Sequence, residues 1–291
     1  MAGFFGFFDY SKPGRGISKD EPAKTGIALY FDIFLRRIWK IMAMNIFYII
    51  ASFPAIIISF FMAEYFLGNL IALTKIEITD ELAYATSLLC IIVTIIVVQI
   101  TGSGPASVGM NYVLRKYVND THSWVWSDFI ENIKKNFKQG IGVYLVNVLM
   151  VFLFMYGFLF YTFIMKGTLA YIMRTVLIVF AAVFMLIQKY TYMLVSGFEV
   201  KFKHIYKNAL ILALGGMKQN LLSAVVVLAL MYGAFYIMAW NFIAGILVMT
   251  FLYFSVITFT QIFITNNVIK KLVMLPMEEN KNTDPDFDDA V

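Results

Sequence analysis

The chain has 291 residues, of which 61% are hydrophobic and only 14% are charged, with a formal net charge of +5. A soluble domain carries about 45–50% apolar and about 25% charged residues, so one water-soluble core cannot hide this apolar surface. The composition predicts a membrane protein and argues against a soluble enzyme or binding domain.

Residues 1–40 are predicted to form a cytoplasmic N-terminal segment that ends in an amphipathic helix. Asp9 and Lys12 interrupt its apolar start too early for the hydrophobic region of a secretory signal. Further along, apolar side chains recur at helical spacing at Ile27, Tyr30, Phe31, Phe34 and Ile38.

Six apolar windows follow, each long enough to cross a bilayer about 30 Å thick as a helix of about 20 residues. They lie near residues 41–63, 84–114, 141–164, 171–196, 221–238 and 242–264. Alternating segments of about 10 residues, which a transmembrane β-barrel requires, do not occur in the sequence. The predicted fold class is an all-α membrane protein.

The distribution of lysine and arginine predicts the orientation of these spans. Nineteen of them fall in the two terminal segments and alternate loops, whereas Lys75, Lys166 and Arg174 fall in the other loops. Basic loops remain on the cytoplasmic side, so both termini are predicted to be cytoplasmic in the cell membrane. The basic balance therefore requires no nucleic-acid partner.

A weak threefold pattern indicates three helical hairpins, each preceded by an amphipathic cytoplasmic helix. Asn45, Asn136 and Asn220 lie near the start of each outgoing span. Each returning span carries a glutamine, and these residues are Gln99, Gln188 and Gln261. The alternative is that membrane helices commonly begin with basic and polar residues without any internal repetition.

The second span ends in an unusual run of small residues, "TGSGPASVG". Pro105 removes a helical hydrogen bond to Thr101, and the small residues allow close helix packing. We predict a packed kink that leads into a cytoplasmic extension. The alternative is a broken helix whose free carbonyls line a substrate path. The candidate kink and packing residues are Gly102, Gly104, Pro105 and Gly109.

The next loop contains the amphipathic segment "WSDFIENIKKNF". Its apolar residues recur at helical spacing, and it either lies on the inner leaflet or binds a partner protein. The candidate docking residues are Trp126, Phe129, Ile133 and Phe137.

Lys189 is the one charge well inside a predicted span. Its long side chain either extends to the headgroups or joins an intramembrane polar cluster with Gln99, Gln188 and Gln261. The spans are almost free of carboxylates, with Glu64 predicted at the outer end of the first. Proton-coupled transporters usually need a buried Asp or Glu, so this composition argues against autonomous proton-coupled transport.

Enzymatic motifs are absent from the sequence. It contains no P-loop, HExxH, GxSxG or His/Cys cluster, and a single cysteine, Cys90, lies within a span. No enzyme activity, cofactor or metal is therefore predicted. The acidic tail, residues 277–291, has few apolar residues and is predicted to be disordered.

Two long stretches resemble the YesL-like family of bacterial integral membrane proteins, which is built around a domain of unknown function. They are "FFGFFDYSKPGRGISKDEPAKTGIALYFDIFLRRIWKIMAMNIFYIIASFPA" and "GPASVGMNYVLRKYVNDTHSWVWSDFIENIKKNFKQG". The resemblance implies a single membrane domain over residues 1–276. It also implies a role in or beside carbohydrate import by ABC transporters, but it carries over no functional residues.

Two functions follow as hypotheses. The first is a permease-like or accessory component of carbohydrate ABC-type uptake without its own ATPase, with transporter subunits as candidate partners besides the lipid bilayer. A literal permease is disfavoured because no EAA-type loop, with its glycine and downstream "LP", is found. The second is a non-transporting regulatory or scaffold protein that binds a partner through its cytoplasmic helices.

Overall fold

A computed structural model describes residues 24–77 and 79–275. The described part is 90% helix and contains no strand. The predicted disordered tail at 277–291 and most of the predicted N-terminal segment lie outside these residues. The helices are α1 (Gly26–Ala51), α2 (Phe53–Thr74), α3 (Asp80–Thr101), α4 (Pro105–Val118), α5 (Val125–Lys135), α6 (Phe137–Leu159), α7 (Thr168–Gly197), α8 (Phe202–Gly215), α9 (Met217–Trp240), α10 (Phe242–Val248) and α11 (Phe254–Ile269).

Three wider helical turns of the π type extend these helices. One, Phe160–Ile164, follows α6, and another, Met249–Tyr253, joins α10 to α11. The third, Lys270–Met274, follows α11. Single π turns inside helices are rare and often occur at functional sites, and the second of these turns has a polar partner on another helix, described below.

Six helices in the described part are long and apolar enough to cross a membrane, as the sequence predicted. They are Phe53–Thr74, Asp80–Thr101, Phe137–Ile164, Thr168–Gly197, Met217–Trp240 and Phe242–Met274. The chain therefore has the character of a multi-pass helical membrane protein.

The boundaries of the first two spans differ from those predicted. The largely apolar stretch from residue 41 to residue 74 is longer than one bilayer crossing. Hydropathy therefore allowed several windows, and the first span was predicted at the start of the stretch, at 41–63. A new helix begins at Phe53, with Pro54 in its first turn, where a proline is tolerated. The second predicted span, 84–114, is divided between α3 and α4.

This shift changes the position of Glu64. The residue lies eleven positions after Phe53, or about 16 Å along α2, and is exposed on the surface of the structure. The prediction that Glu64 lies at the outer end of a span is therefore wrong, because Glu64 lies near the middle of α2.

Consecutive apolar helices pack against each other: α2 contacts α3, α6 contacts α7, and α9 contacts α10 and α11. The short helix α4 contacts α5, α6, α7 and α11. One buried apolar cluster joins α4, α6, α7 and α8 through Val108, Val143, Tyr192, Val195 and Ile205. The helix that follows the small-residue run is thus at the centre of the packing.

Residues 24–36 belong to a separate compact unit of the chain. Within it, Asp32 accepts hydrogen bonds from Lys24 and, at 3.0 Å, from Arg36. The rings of Tyr30 and Phe34 stack with centroids 6.0 Å apart. These contacts join successive turns at the start of α1.

Candidate functional site

The small-residue run after α3 forms a complete break in the helix. α3 ends at Thr101, and α4 begins at Pro105. Between them, Gly102 and Gly104 have φ angles of 70° and 60°, a left-handed region that favours glycine. The chain therefore leaves the helix and starts a new one, where the sequence analysis favoured a continuous helix with a kink.

Pro105 has a different role from the one predicted. It occupies the first turn of α4, where the backbone N–H has no helical partner in any case. Its replacement would restore no hydrogen bond to Thr101, because α3 has already ended there. The predicted effect of Pro105 on a helical bond is wrong for this reason.

The carbonyl that the break frees is bound by neighbouring helices. Tyr192 of α7 donates its hydroxyl to the Thr101 carbonyl at 2.7 Å, and Asn147 Nδ2 of α6 donates at 3.0 Å. Tyr206 of α8 in turn donates to Asn147 Oδ1 at 2.9 Å. The alternative, in which this carbonyl lines a substrate path, conflicts with these contacts, since two side chains already occupy it.

Asn147 did not appear among the candidates from sequence. A polar residue in the middle of the apolar window "VYLVNVLMV" was the available signal. The residue is fully buried, with 0% of its surface exposed. Buried amides in apolar surroundings are costly unless hydrogen-bonded, so an isolated asparagine within a span indicates a partner on another helix.

The asparagines of the predicted threefold pattern have unequal roles. Asn45 Nδ2 donates to the carbonyls of Met249 and Thr250 at 3.0 and 2.8 Å, and Asn45 Oδ1 accepts from Ser255 N at 2.9 Å. Asn45 thus satisfies backbone groups at the π turn between α10 and α11.

Asn220 likewise joins different helices. It accepts from the Tyr190 hydroxyl at 2.7 Å and donates to the Ala213 carbonyl at 2.7 Å. By contrast, the side chain of Asn136 donates only to the Asn132 carbonyl of the preceding turn, at 3.4 Å. The asparagine pattern is therefore not uniform across the three segments.

Gly109 and Phe129 form a close contact between α4 and α5. A Cβ atom on Gly109 would lie 2.7 Å from the Phe129 ring and 2.8 Å from its carbonyl oxygen. Phe129 is only 1% exposed, so its predicted role in docking a partner is wrong: the ring belongs to the core. Ile133 is half-buried, whereas Trp126 and Phe137 are 58% and 51% exposed and remain available for docking.

Asp128 fixes the start of α5 relative to α4. Its Oδ2 atom accepts from Ser123 Oγ at 2.6 Å, from Lys116 Nζ at 3.0 Å and from Trp124 N at 3.1 Å. Burial alone would raise the pKa of this carboxyl, but the hydrogen bonds from Ser123 and Lys116 outweigh it and lower the pKa below its ordinary value. The carboxylate is therefore the favoured form at neutral pH.

A small polar cavity lies beside the helix break, and we call it the break cavity. Its volume is about 30 Å³. A water molecule needs about 10–15 Å³ on this measure, so the cavity holds about two molecules of that size. Its lining consists of Tyr48, Gln99, Gly102, Ser107, Met110, Asn111, Gln188, Lys189, Tyr192, Thr258 and Gln261.

The break cavity brings together all four residues of the predicted polar cluster, Gln99, Gln188, Lys189 and Gln261. The three glutamines come from α3, α7 and α11, which are the returning helices of the sequence pattern. Lys189 is 8% exposed, so it faces this interior site instead of extending to the headgroups.

A second, larger site is open to the surface, and we call it the polar groove. Its volume is about 630 Å³. The residues that line it come from α4, α5, α6, the end of α7 and the connecting segments α5–α6 and α7–α8. They are Tyr112, Arg115, Glu131, Asn132, Lys135, Asn136, Gln139, Val195, Ser196, Gly197, Phe198, Glu199, Val200 and Lys201.

The polar groove carries charges of both signs. Arg115 lies 5.2 Å above the centroid of the Phe198 ring, and Lys135 lies 3.7 Å from Glu199. Gln139 donates to the Val200 carbonyl at 3.2 Å and so joins α6 to the segment between α7 and α8. Amides, guanidinium and aromatic faces are groups that recognise polar ligands or a polar protein surface.

Comparison with known proteins gives one match, to part of the chain. Residues 82–158 match the family described as "Protein of unknown function, DUF624". This match extends from α3 to α6 and includes the helix break and α5. No curated protein matches the chain, and no solved structure matches it.

Proposed function

We propose that the protein is an accessory component of carbohydrate ABC-type uptake in the cell membrane, without ATPase activity of its own. The proposed role is the one that the YesL-like resemblance implies. The proposed topology has three helical hairpins and both termini in the cytoplasm. The protein binds transporter subunits through the polar groove.

The observation that carries this proposal is the contrast between the two sites. The break cavity, at about 30 Å³, is too small for a sugar ring. The polar groove, at about 630 Å³, lies within the range of about 300–1,000 Å³ typical of small-molecule sites. It is also open to the surface and lined by charged and amide side chains, which suits contact with a polar segment of a partner protein. This contrast favours an accessory role over a permease that carries sugar past the broken helix.

The proposed orientation supports an encounter with subunits on the cytoplasmic side. Most of the residues that line the groove, those from Arg115 to Gln139 and from Gly197 to Lys201, fall in two of the loops that carry the excess of lysine and arginine. Positive loops remain in the cytoplasm, where the ATPase subunits of an ABC transporter are also found.

Reporter fusions test the orientation. We expect fusions at residues 200 and 281 to report the cytoplasm, and a fusion at residue 241 to report the outside. The reason is that the excess of lysine and arginine in one set of loops sets the orientation of the spans. Paired alkaline phosphatase and fluorescent-protein fusions measure the side of the membrane. A cytoplasmic signal at residue 241 would contradict the three-hairpin arrangement.

Charge reversal in the groove tests the partner. We expect Lys135→Glu with Lys201→Glu to reduce recovery of transporter subunits at least tenfold, because these side chains line the groove. The tagged full-length protein is cross-linked in native membranes and captured, and the transporter subunits are quantified by mass spectrometry.

The matched control is Lys134→Glu with Lys203→Glu. It makes the same change in charge at exposed positions on α5 and α8 that do not line the groove. Equal loss in both double variants would point to general electrostatics instead of a groove contact. Uptake of labelled sugars separates an accessory role in transport from a scaffold role. If the tagged wild-type protein captures the subunits but a strain that lacks the protein takes up sugar normally, the scaffold role is favoured.

A further inference from the structure

Lys189 presents an unusual electrostatic problem in the break cavity. The residue is 8% exposed, and it is the only charged side chain in the cavity lining. Within residues 24–77 and 79–275, its ammonium group has no hydrogen-bond acceptor and no carboxylate partner. Its Nζ atom lies 5.5 Å from the centroid of the neighbouring Tyr190 ring. A buried charge without a counter-charge is strongly unfavourable.

The other groups around the cavity add donors and positive potential. Thr258 offers a hydroxyl, and Gln188 and Gln261 offer amides. The Ser107 hydroxyl is already engaged, since it accepts from Ser103 N at 2.8 Å and lies 3.3 Å from the Tyr48 hydroxyl. α4 begins at Pro105, so the positive end of its helix dipole lies beside Gly102 and Ser107 in the cavity wall. The start of α4 and the side chain of Lys189, a residue that is 8% exposed, therefore line the same small cavity.

The size of the cavity limits the ligand. Two water-sized positions accommodate a halide-sized ion with one water but leave no room for a tetrahedral oxyanion. Gln99 Oε1 is buried and has no partner in the described part of the chain. A water beside the ion would donate to this oxygen.

We infer that the break cavity is a binding site for one halide-sized monovalent anion, with the buried Lys189 as its counter-charge and the start of α4 as a second source of positive potential. Chloride is the natural probe of this chemistry. Anion binding would also explain a lone intramembrane lysine in spans that lack neighbouring carboxylates.

Equilibrium binding of radiolabelled chloride to the purified full-length protein tests the inference. We expect about one chloride per chain, and a saturable rise in Tm of about 3 °C when chloride replaces gluconate at constant ionic strength. Lys189→Met should lose at least tenfold in chloride affinity. Lys166→Met, an exposed lysine at the other end of the bundle, is the matched control and should bind normally.

A second variant keeps the test decisive if Lys189→Met does not fold. Gln261→Leu removes one lining amide and should weaken chloride binding at least fivefold. Failure of the wild-type protein to bind chloride, or equal binding by wild type and Lys189→Met or Gln261→Leu, would overturn the inference and leave a cavity that holds water alone. Neither readout depends on sugar uptake or subunit capture.

Discussion

Replacing Gly102 with alanine is expected to destabilise the fold so strongly that little folded protein accumulates in the membrane. Gly102 has φ 70° and ψ −168°, a region almost restricted to glycine, and a side chain there costs about 1–3 kcal/mol. A Cβ atom would also lie 2.4 Å from the Tyr192 ring, and such overpacking typically costs a further 1–3 kcal/mol or so. The sum, about 2–6 kcal/mol, reaches the lower end of the stability of about 5–15 kcal/mol that is typical of folded domains.

Fluorescence-detected size-exclusion chromatography and Tm in detergent measure this effect. Gly233→Ala is the matched control, because Gly233 lies within α9 and a Cβ atom there meets nothing within 4 Å. The control should match the wild type or be slightly more stable, since alanine favours helix by about 0.5–1 kcal/mol. If Gly102→Ala folds as well as Gly233→Ala, the left-handed backbone conformation at Gly102 and its close contact with the Tyr192 ring would be contradicted.

Asn45→Leu is the second substitution with a large expected effect. It removes three hydrogen bonds, two of them buried and the one to Thr250 partly buried, while keeping a similar side-chain volume. The partners are the carbonyls of Met249 and Thr250 and the backbone N–H of Ser255. Each buried polar group left without a partner costs about 1–3 kcal/mol, so we expect a loss of about 3 kcal/mol or more in the free energy of unfolding. Denaturant titration in mild detergent measures this loss.

Asn69→Leu is the control for this substitution. Asn69 is only half-buried, and its side chain donates to the Tyr65 carbonyl of its own helix at 2.7 Å. We expect that variant to change stability by less than about 0.5 kcal/mol, as is usual outside the core. A comparable loss in both variants would contradict a specific contribution of the Asn45 hydrogen bonds to stability.

The sequence predicted the helical class and the number of candidate spans well, because hydropathy over about 20 residues reports membrane crossing directly. It placed the first span incorrectly, since an apolar run of 34 residues allows several windows. The local signal for a new helix at Phe53 is Pro54 in its first turn, and hydropathy alone does not use that signal.

The candidate sites were predicted unevenly. Glutamines at corresponding positions of the returning helices indicated a shared polar site, and the structure brings Gln99, Gln188 and Gln261 to one cavity. Amphipathic periodicity, by contrast, cannot separate an apolar face that binds a partner from one that is already covered. Phe129 belongs to the covered kind because Gly109 leaves space for its ring.

The network around Asn147 shows a related limit. Hydropathy treats one asparagine in an apolar window as a small penalty, and it gives no information on the partner. That partner, the carbonyl of Thr101, becomes available only because the chain breaks at Gly102. The two features explain each other, but only once the helices α3 and α6 are placed side by side.

The contact between Asn45 and the π turn also has a consequence for biosynthesis. Asn45 and the carbonyl of Met249 are separated by 204 positions in the chain. A ribosome adds about 5–20 residues per second, so about 10–40 s pass between the synthesis of the two. During this interval the Asn45 amide is left with water, a lipid headgroup, a carbonyl of its own helix or another protein as its partner. A nascent chain stopped before Met249 therefore lacks every group that binds Asn45 in the folded protein.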